Sequence, residues 1–563
     1  MATPRFDHLY PFDELVTELR NLAEAAPELM SLESAGTSHE GRDIWLATVT
    51  NSTTGPHHEK PAVFFECNIH ATEVTASTAA LHLLHHLVSN YGTDPAVTRA
   101  LDTRTFYVVP RVNPDGVELA LRETDPIYLR SSTRAYPRAD QQPGLMERDA
   151  DGDGRTLWMR IEDPDGGWIV HPEEPRVMMA RPFDDVSDGP FYRLLPEGVV
   201  HDFDADHVPV ARDLQGLDLN RNFPQDWAPE GGQSGAGDYP TSEPEVRTVV
   251  DAVTARPNIG VYFAYHTFAA VILRPYGGHA DDHFPTADLV TYKTLGRRAT
   301  EITGYETASV FHEFKYDPKT SITGCGDEWA YDFLGMIGWT TEFWSPLRAA
   351  GIEHKYIEWY SDHPVADDLA LLAWNDDVLG GAGFVDWYPF DHPQFGPVEL
   401  GGWDTFRTWT NPPPSLMEAE ISPHSTWAVA HALALPELAV HDLRCTHLGE
   451  DAYLVRAVVK NAGWLPTNIT KKAIERKAVR PVEVTLECGD GVSVAGGRPT
   501  VELTQLPGRS RVRTMMAVHD GVMDPITERT FTEWIVHGPA GATVMVTARH
   551  QRAGVARAEV TLG

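Results

Sequence analysis

FFECNIHATEVTAS, residues 64–77, opens as an apolar run, turns at Asn68 and places His70 three residues ahead of Glu73. The run belongs to PAVFFECNI (61–69), which has the length and composition of a strand, and TEVTASTAALHLLHHL (72–87) follows with helical spacing. A strand end passing into a helix lies on the crevice side of an α/β sheet, where ligands collect. The pair alone is not distinctive. A chain with 25 histidines holds roughly one or two His-x-x-Glu matches by chance, and His171 with Glu174 and His447 with Glu450 are two more. Context separates them: His171 lies in an irregular stretch and His447 in a run of short strands.

Outward from this segment, DIWLATVT (43–50), PAVFFECNI and RTFYVVPRV (104–112) alternate with helical spacing over 13–26, 72–90 and 285–304. That alternation predicts an α/β sheet with helices on its faces. Residues 121–215 break the rhythm: they are dense in Asp, Pro, Gly and Arg and read as a long surface excursion. Within it Asp149, Asp151 and Asp153 before Gly154 imitate a calcium loop. Arg160 stands where such a loop needs a chelating Glu, so an Asx-rich turn is expected. From Ala439 the texture changes to short strands (LRCTHL, YLVRAVVKNAGW, VEVTLECG, TVELTQL, RVRTMMAV, ATVMVTARH, ARAEVTLG), predicting an antiparallel β-sandwich. The expected division is 1–410, a linker at 411–438, and a sandwich at 439–563.

With 81 acidic and 46 basic residues the formal charge is −35, a field that repels phosphate backbones and anionic lipid, so neither nucleic acid nor membrane is an expected partner. Solubility or adaptation to salt is the ordinary reason for such acidity. At 563 residues the chain should hold more than one core, and no apolar run is long enough to span a bilayer. Four cysteines make no disulfide framework, and the first residues show no basic-then-apolar leader; the expected location is cytoplasmic.

A zinc site that hydrolyses amides needs three protein ligands, an open position for water, and a carboxylate to take the proton from that water. His70 and Glu73 supply two ligands. A second strand end, IGVYFAYHTF (259–268), delivers His266 as the third, against the ordinary alternative of a satisfied sheet-edge histidine. GWTTEFW (338–344) sets Glu342 among apolar and aromatic residues, where burial raises a carboxyl pKa toward a useful range; half of a buried ion pair is the alternative. In DLNRNFP (218–224), Asn220 and Arg221 put a guanidinium fork beside an amide, which suits a terminal carboxylate, though an exposed turn reads the same way. Asp218 could orient a ligand imidazole from behind.

In order along roughly residues 10–400, the H-x-x-E after a buried strand, PRVNPDG (110–116), DLNRNF, His266 followed by LRPYGG (273–278), and an acidic-Trp-x-Tyr helix thirteen residues before Glu342 resemble the zinc carboxypeptidases of the A and B type. The resemblance implies a mixed sheet flanked by helices. It implies one zinc held by His70, Glu73 and His266, with Glu342 activating the attacking water and later protonating the leaving amine. Asn220 and Arg221 would grip the C-terminal carboxylate of a peptide substrate. TLWMR (156–160) resembles the family's Trp-Arg segment and implies Arg160 as donor to the developing oxyanion, with Arg155 as competitor. In GCGDEWAYD (324–332), Asp327 stands where an acidic residue goes with basic C-terminal residues; a charge stabilising the helix start is the alternative. The family's flexible tyrosine would fall near Thr320, the nearest aromatic being Tyr316, and that role is left open. The expected activity is a zinc-dependent metallocarboxypeptidase. A zinc amidase on cell-wall or γ-glutamyl peptides, and a non-enzymatic scaffold that binds through its sandwich, are the alternatives.

Overall fold

The computed structural model describes residues 3–202, 208–315, 319, 321–512 and 526–563. The strand around Phe64 runs Ala62–Cys67, inside an eight-stranded mixed sheet. Across that sheet the order is Met30–Thr37, Asp43–Val49, Thr105–Val109, Ala62–Cys67, Ile259–Thr267, Ile337–Phe343, Val271–Arg274, Glu306–Ser309. The four strands from Thr105–Val109 to Ile337–Phe343 are parallel neighbours, and antiparallel pairs flank them on both sides.

Alternate residues of the central strands enter different cores. Val63, Phe65, Val261, Phe263 and Trp339 meet the helices Thr75–Ser89, Thr286–Thr303 and Pro414–Ala434. Phe64, Tyr262 and Ala264 meet Val246 and Val249 of helix Pro244–Thr254, and Trp329. Parallel strands covered on both faces read as unbroken apolar runs, which is why FFEC shows no alternation. Continuing the alternation places His266 on the Phe64–Tyr262 face, with Glu342 directly opposite it in the next strand.

The excursion is more regular than its composition suggests. Trp158–Glu162, Trp168–Val170, Met178–Ala180 and Tyr192–Pro196 join Phe384–His392 and Gly396–Trp403 in a six-stranded sheet. Strands of three to five residues are too short for a period of two to register. The stretch read as a linker holds the 21-residue helix Pro414–Ala434, which buries Met417, Ile421 and Trp427 despite Pro423 within it. Its proline-rich start and internal proline hide it from pattern reading. Beyond it stand two four-stranded antiparallel sheets sharing a core of Val455, Val459, Val484, Trp534 and Val546. Residues 513–518 of the expected strand RVRTMMAV lie outside the described residues. No described helix is long and apolar enough to cross a membrane.

Candidate metal centre and cleft

Asn68 ends its strand in the left-handed conformation, φ 58°, which short polar side chains tolerate. Its amide donates to the carbonyl of His70 at 2.7 Å and its oxygen accepts from Ser77 Oγ at 2.6 Å, pinning the turn to the following helix. The turn brings His70 and Glu73 against His266, all three buried. His70 Nδ1 lies 2.8 Å from Glu73 Oε1 and 3.0 Å from His266 Nδ1, which in turn lies 2.9 Å from Glu73 Oε2. The three donors face one point. Behind them, His70 Nε2 meets Asp218 Oδ1 at 3.0 Å; with its proton on that side, the ring presents its Nδ1 lone pair to the cluster.

Burial alone would raise Glu73 and lower His266. The two imidazoles instead hold the Glu73 carboxyl well below the usual range, and Glu73, with Glu342 and Glu66, lifts His266 to about 9. Glu342 is half-buried. Withdrawal from water and then Glu73 push its carboxyl up to about 8, while His266, Arg130 and Arg221 pull the other way. Two nitrogens and a carboxylate converging from the turn after Ala62–Cys67 and from strand Ile259–Thr267 fit a tetrahedral zinc ion with one side open. That side is a cavity of 290 Å³ whose walls include Glu73, Glu342, Arg130, Phe268, Tyr356 and Tyr360.

Asn220 and Arg221 sit on a short helical turn, Leu219–Arg221, beside the same centre. Asn220 Oδ1 accepts from Gly326 N at 3.0 Å, and Arg221 Nη1 donates to Asn220 O at 2.7 Å and reaches Cys325 Sγ at 3.4 Å. Asp218, in the same segment, is held far below its ordinary pKa: burial opposes this, and Arg130, Arg221 and His70 override it. Asp327 is buried at the start of helix Gly326–Asp332, bonded to Thr340, and burial raises its carboxyl. Thr340 and Glu342 share one face of their strand.

Arg160 is not in this site. Its guanidinium is stacked between Tyr192 and Trp387 in the six-stranded sheet, with Nε 2.8 Å from Glu399. Arg155 is tied to Asp153 at 2.5 Å. The arginine at the centre is Arg130, whose Nη1 lies 3.1 Å from Glu73 Oε1 and whose Nε lies 3.0 Å from Asp218 Oδ2. Both arginines fall between PRVNPDG and DLNRNF, and no local feature of YLRSST (128–133) ranks it above TLWMR. Packing does: Ala71 N donates to Arg130 O, and the adjacent Ser131 accepts from Asn113 and Leu219. Of the decoys, His171 Nδ1 accepts from the amides of Glu173 and Glu174, and His447 Nε2 lies 2.9 Å from the Glu450 carbonyl. Tyr316 and Thr320 lie outside the described residues.

A family model described as zinc carboxypeptidase matches residues 15–155 and 164–355, more than half of the chain. A second, described as a domain of unknown function, matches 437–561. A zinc carboxypeptidase of Saccharothrix mutabilis subsp. capreolus is 36% identical over 107 residues, 19% of this chain and 24% of that protein. Carboxypeptidase A2 of Rattus norvegicus is 24% identical over 345 residues, 59% of this chain and 61% of its own length. Carboxypeptidase B of Astacus astacus is 24% identical over 328 residues, 57% of this chain and 81% of its own. The chain thus spans less than two thirds of the first two relatives. The mixed sheet, the His-Glu-His group at its strand ends and the extent of the family match agree, and the chain belongs to the zinc carboxypeptidase family.

Proposed function

We propose that this chain is a zinc-dependent metallocarboxypeptidase that hydrolyses the C-terminal peptide bond of peptides or proteins. The observation that carries this reading is the facing of His70 Nδ1, Glu73 and His266 Nδ1 across about 3 Å, with Glu342 opposite His266 in the adjacent strand. Those three residues would hold the metal. A zinc ion there supplies Lewis-acid polarisation of the scissile carbonyl and lowers the pKa of water toward neutrality.

The chain's own groups do the rest. Arg221 and Asn220 take the terminal carboxylate, a bidentate task for the guanidinium. Arg130 stabilises the negative oxygen that develops on the attacked carbonyl. Glu342 accepts the proton of the attacking water and returns it to the leaving amine. A carboxyl raised to about 8 is a poor base at neutral pH; a cation held by His70, Glu73 and His266 would favour its ionised form. Asp327, buried beneath this face, favours a terminal Lys or Arg, because a buried carboxylate wants a cation. The aromatic wall of the 290 Å³ cavity suits an apolar side chain just upstream of the scissile bond. Residues 1–410 would form the catalytic part and 439–563 an accessory one.

The test is mass spectrometry of a peptide library varied at its last residue, incubated with the zinc-loaded protein and with Glu342→Gln. Loss of single terminal residues by the native protein alone supports the reading. No loss, in a sample holding one zinc per chain, overturns it.

A further inference from the structure

Helix Gly326–Asp332 has seven residues, so its ends are ~10 Å apart. Its first end belongs to the cleft: Gly326 N donates to Asn220 Oδ1, Cys325 Sγ lies against Arg221, and Asp327 bonds Thr340. Its other end closes on itself only partly. Gly335, at φ +64°, caps it with bonds from Gly335 N to Tyr331 O and from Met336 N to Ala330 O. The carbonyls of Asp332, Leu334 and Gly335 then need donors from elsewhere.

All three are met by residues beyond 437. Arg476 Nε donates to Asp332 O at 2.8 Å, and Arg552 donates to Gly335 O at 2.9 Å and to Leu334 O at 2.5 Å. Thr470 Oγ1 adds a bond to Gly335 O at 2.7 Å. The buried Asp332 carboxylate is held by Lys472 Nζ at 3.1 Å, by Tyr276 at 2.9 Å and by the Arg476 guanidinium. In return Asp288 accepts from the amides of Lys471 and Lys472, at the start of the short helix Lys471–Glu475. The approach is as close as backbone allows: a Cβ at Gly335 would stand 2.3 Å from Ala473 Cα.

We infer that the C-terminal sandwich positions the carboxylate-recognition end of the cleft: Thr470, Lys472, Arg476 and Arg552 fix one end of helix Gly326–Asp332, and the other end sets Cys325, Gly326 and Asp327 against Asn220 and Arg221. This rests on the reading of Asn220 and Arg221 as the terminal-carboxylate clamp. An adhesive role alone fits poorly with the chemistry. Arg552 is 2% exposed and the hydrogen bonds of its guanidinium among the described residues go to carbonyls; an apolar side chain would glue two surfaces at lower desolvation cost. What a buried guanidinium adds is direction. Because the metal donors hang on other elements and the helix meets the Glu342 strand at Gly338 and Thr340 rather than at Glu342 itself, loosening this brace acts on substrate binding and selection before it acts on the chemical step.

The experiment uses the full zinc-loaded chain and the variants Arg552→Met, Arg552→Lys and Thr470→Val. Steady-state kinetics are read on peptides that differ only in the last residue, beside hydrogen exchange of the segment 322–336. Arg552→Met should raise KM roughly fivefold to tenfold, the size of one ordinary net hydrogen bond. Its kcat should stay within about twofold, the ratio of released residues should shift, and exchange in 322–336 should quicken. Arg552→Lys should recover much of the loss. If Arg552→Met does not fold, Thr470→Val gives the same reading at smaller size. Folded, zinc-replete variants with unchanged KM, release ratio and exchange would overturn the inference. If the native chain cleaves no peptide, the proposed activity is what fails, and the exchange data alone then decide whether the sandwich fixes this helix.

Discussion

Among the described residues, two places gather three potential metal donors: His70, Glu73 and His266 at the strand ends, and Asp149, Asp151 and Asp153 in the excursion. They differ in what the donors already do. In the acidic turn, Asp149 accepts from the amides of Gly152, Asp153 and Gly154, Asp151 from Asp153, and Asp153 from Arg155. Those oxygens are spent on the shape of their own loop. At the strand ends the donors find one another, and their supports, Asp218 and Asn68, hold them from behind. Spacing in the sequence does not distinguish the two cases. At the strand ends Glu73 also accepts from Arg130 and Thr267 N, but both imidazoles keep Nδ1 turned to the cluster. The turn offers no imidazole, and its carboxylates bond mostly their own loop.

Pairs of substitutions, one at the centre and one in the excursion, sharpen or break this contrast. The largest effect is expected from Glu342→Gln, which should cut kcat by roughly 10²–10⁴-fold with zinc content unchanged, while Asp151→Asn should leave kcat as it was. Next come the two arginines. Arg130→Met should lower kcat by roughly 10²–10³-fold, the loss for one oxyanion donor, whereas Arg160→Met should leave the rate alone and lower the thermal midpoint. A large rate loss in the Arg160 variant would sink the assignment.

Metal affinity gives a smaller step. Competition with a chelator should show zinc bound roughly 10–100-fold more weakly by Asp218→Ala and equally well by Asp149→Asn, and calcium should not raise the melting temperature of the native chain. The smallest effect concerns two buried carboxyls. Burial pushes both Glu245 and Glu197 up to about 7. A folded-state pKa above the ordinary one means that the stability is fully present at low pH and is lost as pH rises toward 7. Glu245 uses one oxygen, for His39 N at 2.7 Å, and leaves the other unbonded; Glu197 uses both, for Ala150 N and Leu157 N. In urea titrations Glu245→Gln should match the native chain at pH 4 and exceed it by ~1–3 kcal/mol at pH 8. Glu197→Gln should be weaker at both, because its new amide faces a donor.

Much of the site could be read from strand ends. Parallel strands buried on both sides announce themselves as apolar runs, and their C-terminal ends deliver side chains to one crevice, so His70, His266 and Glu342 could be found before their contacts were known. Arg130 could not, because its place depends on Ser131 meeting Asn113 and Leu219, contacts between segments far apart in the chain. Pattern reading chose the arginine with the better local match, and tertiary packing chose the other. Helix Pro414–Ala434 and the six-stranded sheet were missed for a different reason: prolines in the one and strand length in the other remove the periodicity on which such reading depends.

The side-by-side pairing of strands Ala62–Cys67, Ile259–Thr267 and Ile337–Phe343 also sets a timetable. His70 and His266 are 196 residues apart, and at the pace of synthesis the second follows the first by roughly 10–40 s. During that interval the first half of the metal centre waits on the ribosome without its partner, and Glu342 arrives later still. The three donors can therefore meet only once the distant parallel strands have found their register, so the complete metal site is a late feature of the assembling chain.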